Sequence, residues 1–544
     1  MSLAPSPPPA APRPDRASPS EAGGSRNRWL SLAVACLGMM MTFFNITATI
    51  SVLALIQADL HVSTSSLIWV SSAYTLLVAS LVLSAGTFGD VFGRRKVFLI
   101  GIVLIGAGSL LAFLSGSLGV LITAQAVMGI GGALVLPNSL SLVTGAFSDP
   151  HERTEAVSIW AGCSGIGLAV APLLAGVLLL HFSWHSVYLL NVGIALVAAV
   201  LTPVLVAESR HPDRALDPVG LILGTVTIGL LTFAVIESGG AGYTDARVVG
   251  AFAGFLVALG MFLWFEARHH DPMLDLRLFR SASFSAVMAV AAGVMFAFTG
   301  VALLLVLYFE KVRALSALDT GWRLLPLFVS YIAVSSVAGR IVRRTGFRTT
   351  LTGGLLIAGA GVLLLLIEGP DSSYHAIWPG MTVLGLGSGL LIAPSTAAAM
   401  ISVPHTQTGM ASGAVNMFRQ LGSVLGTSIL GTILTTRMDT NLADRLRDAR
   451  VPGPVADTVR EAASDGTPAG TLPPDLAARV TKAVAHAFTD AQHTGFLVAA
   501  LLLFATAVPT VLFVRKRQAA APPAPGGGAV PPAGTAPAAR HSRH

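Results

Sequence analysis

Apolar runs long enough to cross a lipid bilayer recur along this chain from residue 29 to residue 514. A membrane-spanning helix needs about 20 mostly apolar residues. Fourteen such stretches can be counted, the first over 29–56 and the last over 495–514. The expected fold is all-α and integral to the membrane, with 14 transmembrane helices. Composition supports this: 53% of the 544 residues are hydrophobic and only 11% are charged, against about 25% charged in soluble domains. The 56 glycines suit helices packed closely in lipid.

An even number of spans puts both termini on one side. Lys and Arg decide which side. Segments on the side of the termini hold 22 of them, and the short loops opposite hold only Arg247, Lys311 and Arg313. Positive residues stay cytoplasmic, so both termini are expected in the cytoplasm. The net charge of +7 is then a topological signal and no sign of nucleic-acid binding. Residues 1–27 and 515–544, rich in Pro and Ala, are expected to be disordered cytoplasmic tails. The loop 437–494 is expected outside, with Leu476, Val480, Val484 and Phe488 marking an amphipathic helix. Two readings of that loop stand: a small cap, or a gating lid or partner site. Four Lys against 30 Arg point to a GC-rich bacterial genome, hence a bacterial inner (plasma) membrane.

Several functions have no support. Cys36 and Cys163, the only cysteines, lie in apolar segments and read as small core residues. No nucleotide loop, metal-ligand cluster or nucleophile–base pair is present, so neither an enzyme nor a metal or cofactor is expected.

The stretch GTFGDVFGRRK, residues 86–96, interrupts the apolar pattern between the second and third spans. It has an echo in GRIVRRTGFR, residues 339–348. Gly86 and Gly93 are seven apart, as are Gly339 and Gly346. The chain here resembles the major facilitator superfamily, specifically its fourteen-helix drug:proton antiporter family, whose loop signature matches Gly86, Asp90, Gly93, Arg94 and Arg95. WHSVYLLNV (184–192) and GMASGAVNMFRQLGSVLGTSILGT (409–432) resemble that family's sixth-span entry and thirteenth span. The resemblance implies two six-helix bundles around a central cavity that opens alternately to each side. It also divides the chain into an N-terminal bundle 28–207, a linker 208–283 with two extra transmembrane helices, and a C-terminal bundle 284–514. Asp90 and its arginines would be a gate; a solvated cytoplasmic turn is the other reading. Gly167, Pro172 and Gly176 stand where the antiporter signature places a bending, closely packed fifth span. Two of that signature's glycines are here Ala171 and Ala175.

Two departures matter for mechanism. Where relatives carry Asp in the first span and Arg in the fourth, this chain has Asn45 and Gln125. Neither amide exchanges a proton at any working pH. They are read either as interhelical polar glue or as cavity lining. Thr47, Asn138, Trp160, Arg419 and Gln420 complete the candidate cavity. Arg419 falls near mid-depth of its span, where a charge costs at least ~2.5–3.5 kcal/mol unless it faces a partner or water. Glu237 and Glu310 are the candidate proton-coupling acids, each otherwise a solvated interfacial acid.

The resemblance implies a monomeric transporter exporting a small drug-like or antibiotic compound by proton antiport, in contact with lipid, substrate and protons. A facilitator or importer without tight proton coupling, and a transporter-derived membrane sensor, remain alternatives.

Overall fold

The computed structural model describes residues 21–62, 64–209, 217–269, 274–403, 408–465 and 473–514. Its long elements are fifteen α-helices. The first six are α1 (Glu21–Leu60), α2 (Thr64–Phe92), α3 (Arg94–Phe113), α4 (Leu118–Ala146), α5 (Pro150–Leu179) and α6 (Ser186–Leu205). Next come α7 (Pro218–Ala241), α8 (Ala246–Glu266), α9 (Ala282–Leu307), α10 (Ala317–Thr345) and α11 (Phe347–Leu364). The last four are α12 (Tyr374–Ile401), α13 (Thr408–Asp448), α14 (Gly453–Asp465) and α15 (Pro474–Phe513).

Short polar side chains start several of these helices. Ser117 accepts from the Val120 N–H at α4, Ser316 from the Asp319 N–H at α10, and Asp217 from the Gly220 N–H at α7. Such caps satisfy amides that have no carbonyl partner inside the helix. Gly93 separates α2 from α3, and Gly346 separates α10 from α11, with φ of 107° and 81°. A Cβ disfavours that region. The echo between 86–96 and 339–348 is therefore a repeated glycine turn that sends one span directly into the next.

Helix packing sorts into two groups. In the first, α4 packs on α2 and α3, and α1 packs on α5 and α6. In the second, α13 packs on α9 and α15, and α11 packs on α12 and α15. The inserted pair α7 and α8 pack on each other, and α7 leans on α2 from one group and α13 from the other. Two clean six-helix bundles do not result, because α5 packs on α10 as extensively as helices do within either group.

Three further expectations are corrected. By length and hydropathy, 12 helices among the described residues are able to span a membrane, or up to 13 if bent α2 is one span, rather than 14. α2 bends by 57° between Ser72–Val82 and Ser84–Phe92. The helix that falls short is α13, where Arg419 and Gln420 sit among Gly, Ser and Thr and dilute the apolar character. Second, the stretch expected as tail to residue 27 is helical from Glu21, because α1 continues outward beyond the apolar run. Residues 1–20 and 515–544 lie outside the described residues. Parts of the linker, 210–216 and 270–273, lie outside them as well.

Third, the stretch 437–494 is not a loop with one helix. Its described residues are the end of α13, then α14, then the start of α15, with 466–472 outside the described residues. Leu442, Leu446, Val459, Leu476 and Val480 form a small core of their own there. Arg445 pairs with Asp490 at 2.6 Å. Phe488 instead belongs to the main core. The amphipathic stripe therefore runs without a break into the final span.

α1 and α5 bring Cys36 and Cys163 side chain to side chain. A short bifunctional thiol reagent should link the two within one chain, without any engineered residue. Peptide mapping that found only singly modified cysteines would contradict the α1–α5 packing.

Candidate functional site

The signature loop is the most heavily tied turn between spans. Asp90 accepts from Arg94 twice, from Nε at 3.1 Å and Nη2 at 2.9 Å. The Arg94 N–H donates to the Ser209 carbonyl at 3.0 Å. The Arg95 N–H donates to Glu208 Oε1 at 3.0 Å, and its guanidinium reaches the Val206 carbonyl at 3.3 Å. Glu208, just past α6, was invisible as a site residue because nothing in its local pattern marks it. A Cβ on Gly93 would lie 2.8 Å from the Glu208 carboxyl, and one on Gly89 would collide with the Asn138 amide. Gly86 is less crowded, since its Cβ would meet only Pro137 at 3.8 Å. Gly93 is thus required by its positive-φ backbone, and a side chain there would also push the Glu208 carboxylate aside.

Deeper in the first group, the two amides meet. Asn45 Nδ2 donates to Gln125 Oε1 at 3.0 Å, and Gln125 Nε2 donates to Thr49 at 2.8 Å and Tyr188 at 3.3 Å. The knot ties α1, α4 and α6 and is almost wholly buried. Asn45 Oδ1 is buried without a partner. Thr47 donates to the Leu168 carbonyl of α5 at 3.2 Å. Asn138 donates to the Ala85 carbonyl at 3.0 Å, holding α4 to α2, and Trp160 Nε1 donates to Ser139 at 3.1 Å. These last two take their hydrogen bonds inside the packed core.

A small cavity of about 20 Å³, room for about one water, lies between the two groups of helices. Met39, Phe43, Leu136 and Met295 supply its apolar walls. Arg419, Gln420, Asn416 and Ser164 supply its polar ones. Of the residues expected to line a cavity, the structure brings Arg419 and Gln420 to this one. Asn416, one helical turn before Gln420, was missed; the same face of α13 carries both. Arg419 Nη2 donates to Thr396 at 2.6 Å, to Ser395 at 3.1 Å, and to the Ile392 carbonyl, all on α12. Its Nε is buried without a partner.

The seam between the groups runs beside the cavity. A Cβ on Gly176 would meet Leu318 at 2.5 Å, and one on Gly165 would collide with the Tyr331 ring. Gly167 faces the other way, where a Cβ would lie 2.5 Å from the Met40 carbonyl of α1. α5 is thus sandwiched closely by α1 and α10. Pro172 packs where Gly321 of α10 comes near, and Tyr331 donates to the Ala161 carbonyl at 2.9 Å.

The acids end up apart from the cavity. Glu237 is half-buried near the end of α7. Glu310 is half-buried on a π-turn, Tyr308–Val312, that extends α9. At the same end of the molecule lies Glu368, which no sequence pattern picked out. It is 2% exposed, and both carboxyl oxygens are buried without hydrogen-bond partners. Its main-chain carbonyl accepts from the His493 ring at 2.8 Å, and Arg313 nearby donates to the Pro370 carbonyl at 2.9 Å. Burial pushes the Glu368 carboxyl up to about 8, against the opposing charge of Arg313. No group of three or more metal-binding side chains occurs among the described residues.

Residues 35–427 match the sequence profile of the Major Facilitator Superfamily. The multidrug resistance protein Stp of Mycobacterium tuberculosis is 33% identical over 90% of this chain and 91% of its own. The multidrug efflux pump LfrA of Mycolicibacterium smegmatis is 32% identical, over 92% and 99%. The tetracenomycin C resistance and export protein of Streptomyces glaucescens is 30% identical, over 91% and 94%. A crystal structure of a human organic anion transporter shares the fold, with TM-score 0.58 over 88% of this chain and 99% of that one, at 14% identity.

Two outcomes follow from the geometry. Gly93→Ala forces a Cβ into a positive-φ turn and against a carboxylate, which should destabilise by about 1–3 kcal/mol. Thermal unfolding in detergent reads this as a lowered Tm. The raised Glu368 pKa means that protonation favours the folded chain. That stabilisation is complete below its ordinary 4.5 and is lost as pH rises through about 8. The Tm of the parent should therefore fall between pH 5 and 9 more than that of Glu368→Gln; equal slopes would contradict the assignment.

Proposed function

We propose that this chain, which belongs to the Major Facilitator Superfamily, exports small organic compounds from the bacterial cytoplasm by proton antiport. It is a multi-pass membrane transporter related to multidrug efflux proteins and is no enzyme. The observation behind the export reading is the small gap between the two helix groups, lined by soft apolar side chains and a few convergent polar groups, which widens into a binding cavity when the halves part. Relatives named for multidrug resistance and for export support the outward direction. The expected location is the bacterial inner membrane, with both termini cytoplasmic on the strength of the Lys/Arg distribution.

In this reading the halves 28–207 and 284–514 are two six-helix units, and α13 is the thirteenth of fourteen spans despite its dilute hydropathy. Its packing on α9 and α15 supports that reading, since covered faces tolerate polar side chains. The compound enters the cavity from the cytoplasmic side. The halves then rock about the α5–α10 seam, with Gly167, Pro172 and Gly176 allowing close passage. Gly86, Asp90, Gly93, Arg94 and Arg95 hold the cytoplasmic end when the outside is open.

The drive is assigned to the proton gradient. One proton moving down about 100 mV releases about 2.3 kcal/mol, enough for roughly 50-fold accumulation. Asn45 and Gln125 remove the simplest relay from the N-terminal half. Coupling therefore falls to acids outside it, Glu237, Glu310 and the buried Glu368. Substrate, protons and lipid are the partners proposed, with a monomer as the working unit.

Expression in a host lacking its own pumps tests the whole reading. Tolerance to a panel of antibiotics and dyes should rise at least fourfold and vanish with an uncoupler. Unchanged tolerance sinks export, and tolerance that survives the uncoupler sinks proton coupling in favour of a facilitator. Asp90→Asn should lower efflux at least tenfold at normal membrane abundance; full activity would end the gate assignment.

A further inference from the structure

The cavity holds an unbalanced charge. Arg419 is 5% exposed, and none of the residues lining the cavity is an acid. The ion pairs formed among the described residues do not include it. One of its nitrogens, Nη2, is held by three oxygens of α12. This anchors the guanidinium while leaving Nε buried with no partner. Three neutral acceptors offset a full positive charge only in part. A guanidinium is a planar fork that fits two oxygens of a carboxylate or an enolate side by side. Beside it, Asn416 and Gln420 add amides, and the thioethers and ring of Met39, Met295 and Phe43 give a soft, polarisable wall.

From this we infer that the site, once the halves part around these residues, takes organic anions: apolar bodies bearing one carboxylate or acidic enol, whose charge pairs with Arg419. The inference rests on the export reading and narrows it. A cationic compound would sit next to an uncompensated like charge in a poorly screened site, which disfavours it. A neutral compound fills the walls but leaves the arginine unpaired. Arg419 is thus a specificity-determining residue for the transported species.

The test uses three matched probes: pyrenebutyric acid, its methyl ester and the corresponding pyrenebutylamine. Binding to the purified full chain is followed by pyrene fluorescence, and exchange is followed in proteoliposomes. The parent should bind the acid at least tenfold more tightly than the amine. Arg419→Gln should weaken acid binding at least tenfold while leaving the ester within twofold, and Arg419→Lys should recover part of the loss. Retained ester binding shows that the variant is folded. A parent that fails to bind the acid, or prefers the amine, overturns the inference. So does an Arg419→Gln variant that weakens all three probes alike, which would make Arg419 a brace between α12 and α13. Failure of export itself is read separately, from antibiotic tolerance in the pump-deficient host.

Discussion

A polar group inside this protein has no water to fall back on, and most of the architecture follows from how each one is answered. Lipid accepts no hydrogen bonds, so a buried donor must find its acceptor on another helix or on its own backbone. Ser and Thr residues along the spans mostly return to a carbonyl one turn back, as Thr42 does to Gly38 and Thr202 to Ala198. The longer side chains cannot do so and reach across. Asn45, Gln125, Thr49 and Tyr188 answer one another and so fix three helices. Each such contact contributes only about 0.6 kcal/mol on average, so their value lies in register more than in stability.

The same rule separates the two halves of the molecule in character. In the first group the buried knot is made of neutral amides and hydroxyls that mostly pair among themselves, with Asn45 Oδ1 left over. In the second, a full charge stands at the cavity with only neutral oxygens around one nitrogen. At the far end of that group a carboxyl is buried with no hydrogen bond at all. Groups left partly unsatisfied are the ones whose environment changes most when a ligand or a proton arrives.

How much of this was legible depended on whether a residue's role is local. The spans, the glycine turns and the Asp90–Arg94 contact lie within a few residues of one another, and sequence spacing predicts them. The amides at 45 and 125 were recognised by type, but their direct contact joins positions 80 residues apart. Glu208 and Glu368 were missed because their significance comes from what folds over them: Gly93 in one case, the end of α9 and the middle of α15 in the other. Asn138 and Trp160 have the chemistry of cavity residues, yet their donors are consumed by Ala85 and Ser139.

The continuity of α13 and α15 beyond the apolar region has a mechanical meaning. A 41-residue helix is about 60 Å long. A tilt of about 10° at its middle displaces its end by about 5 Å. Because α13, α14 and α15 share a small core of their own, that displacement is shared among the three as one body. A change in the tilt of α13 or α15 would therefore move this small core as a unit, and its position would register the posture of the long helices.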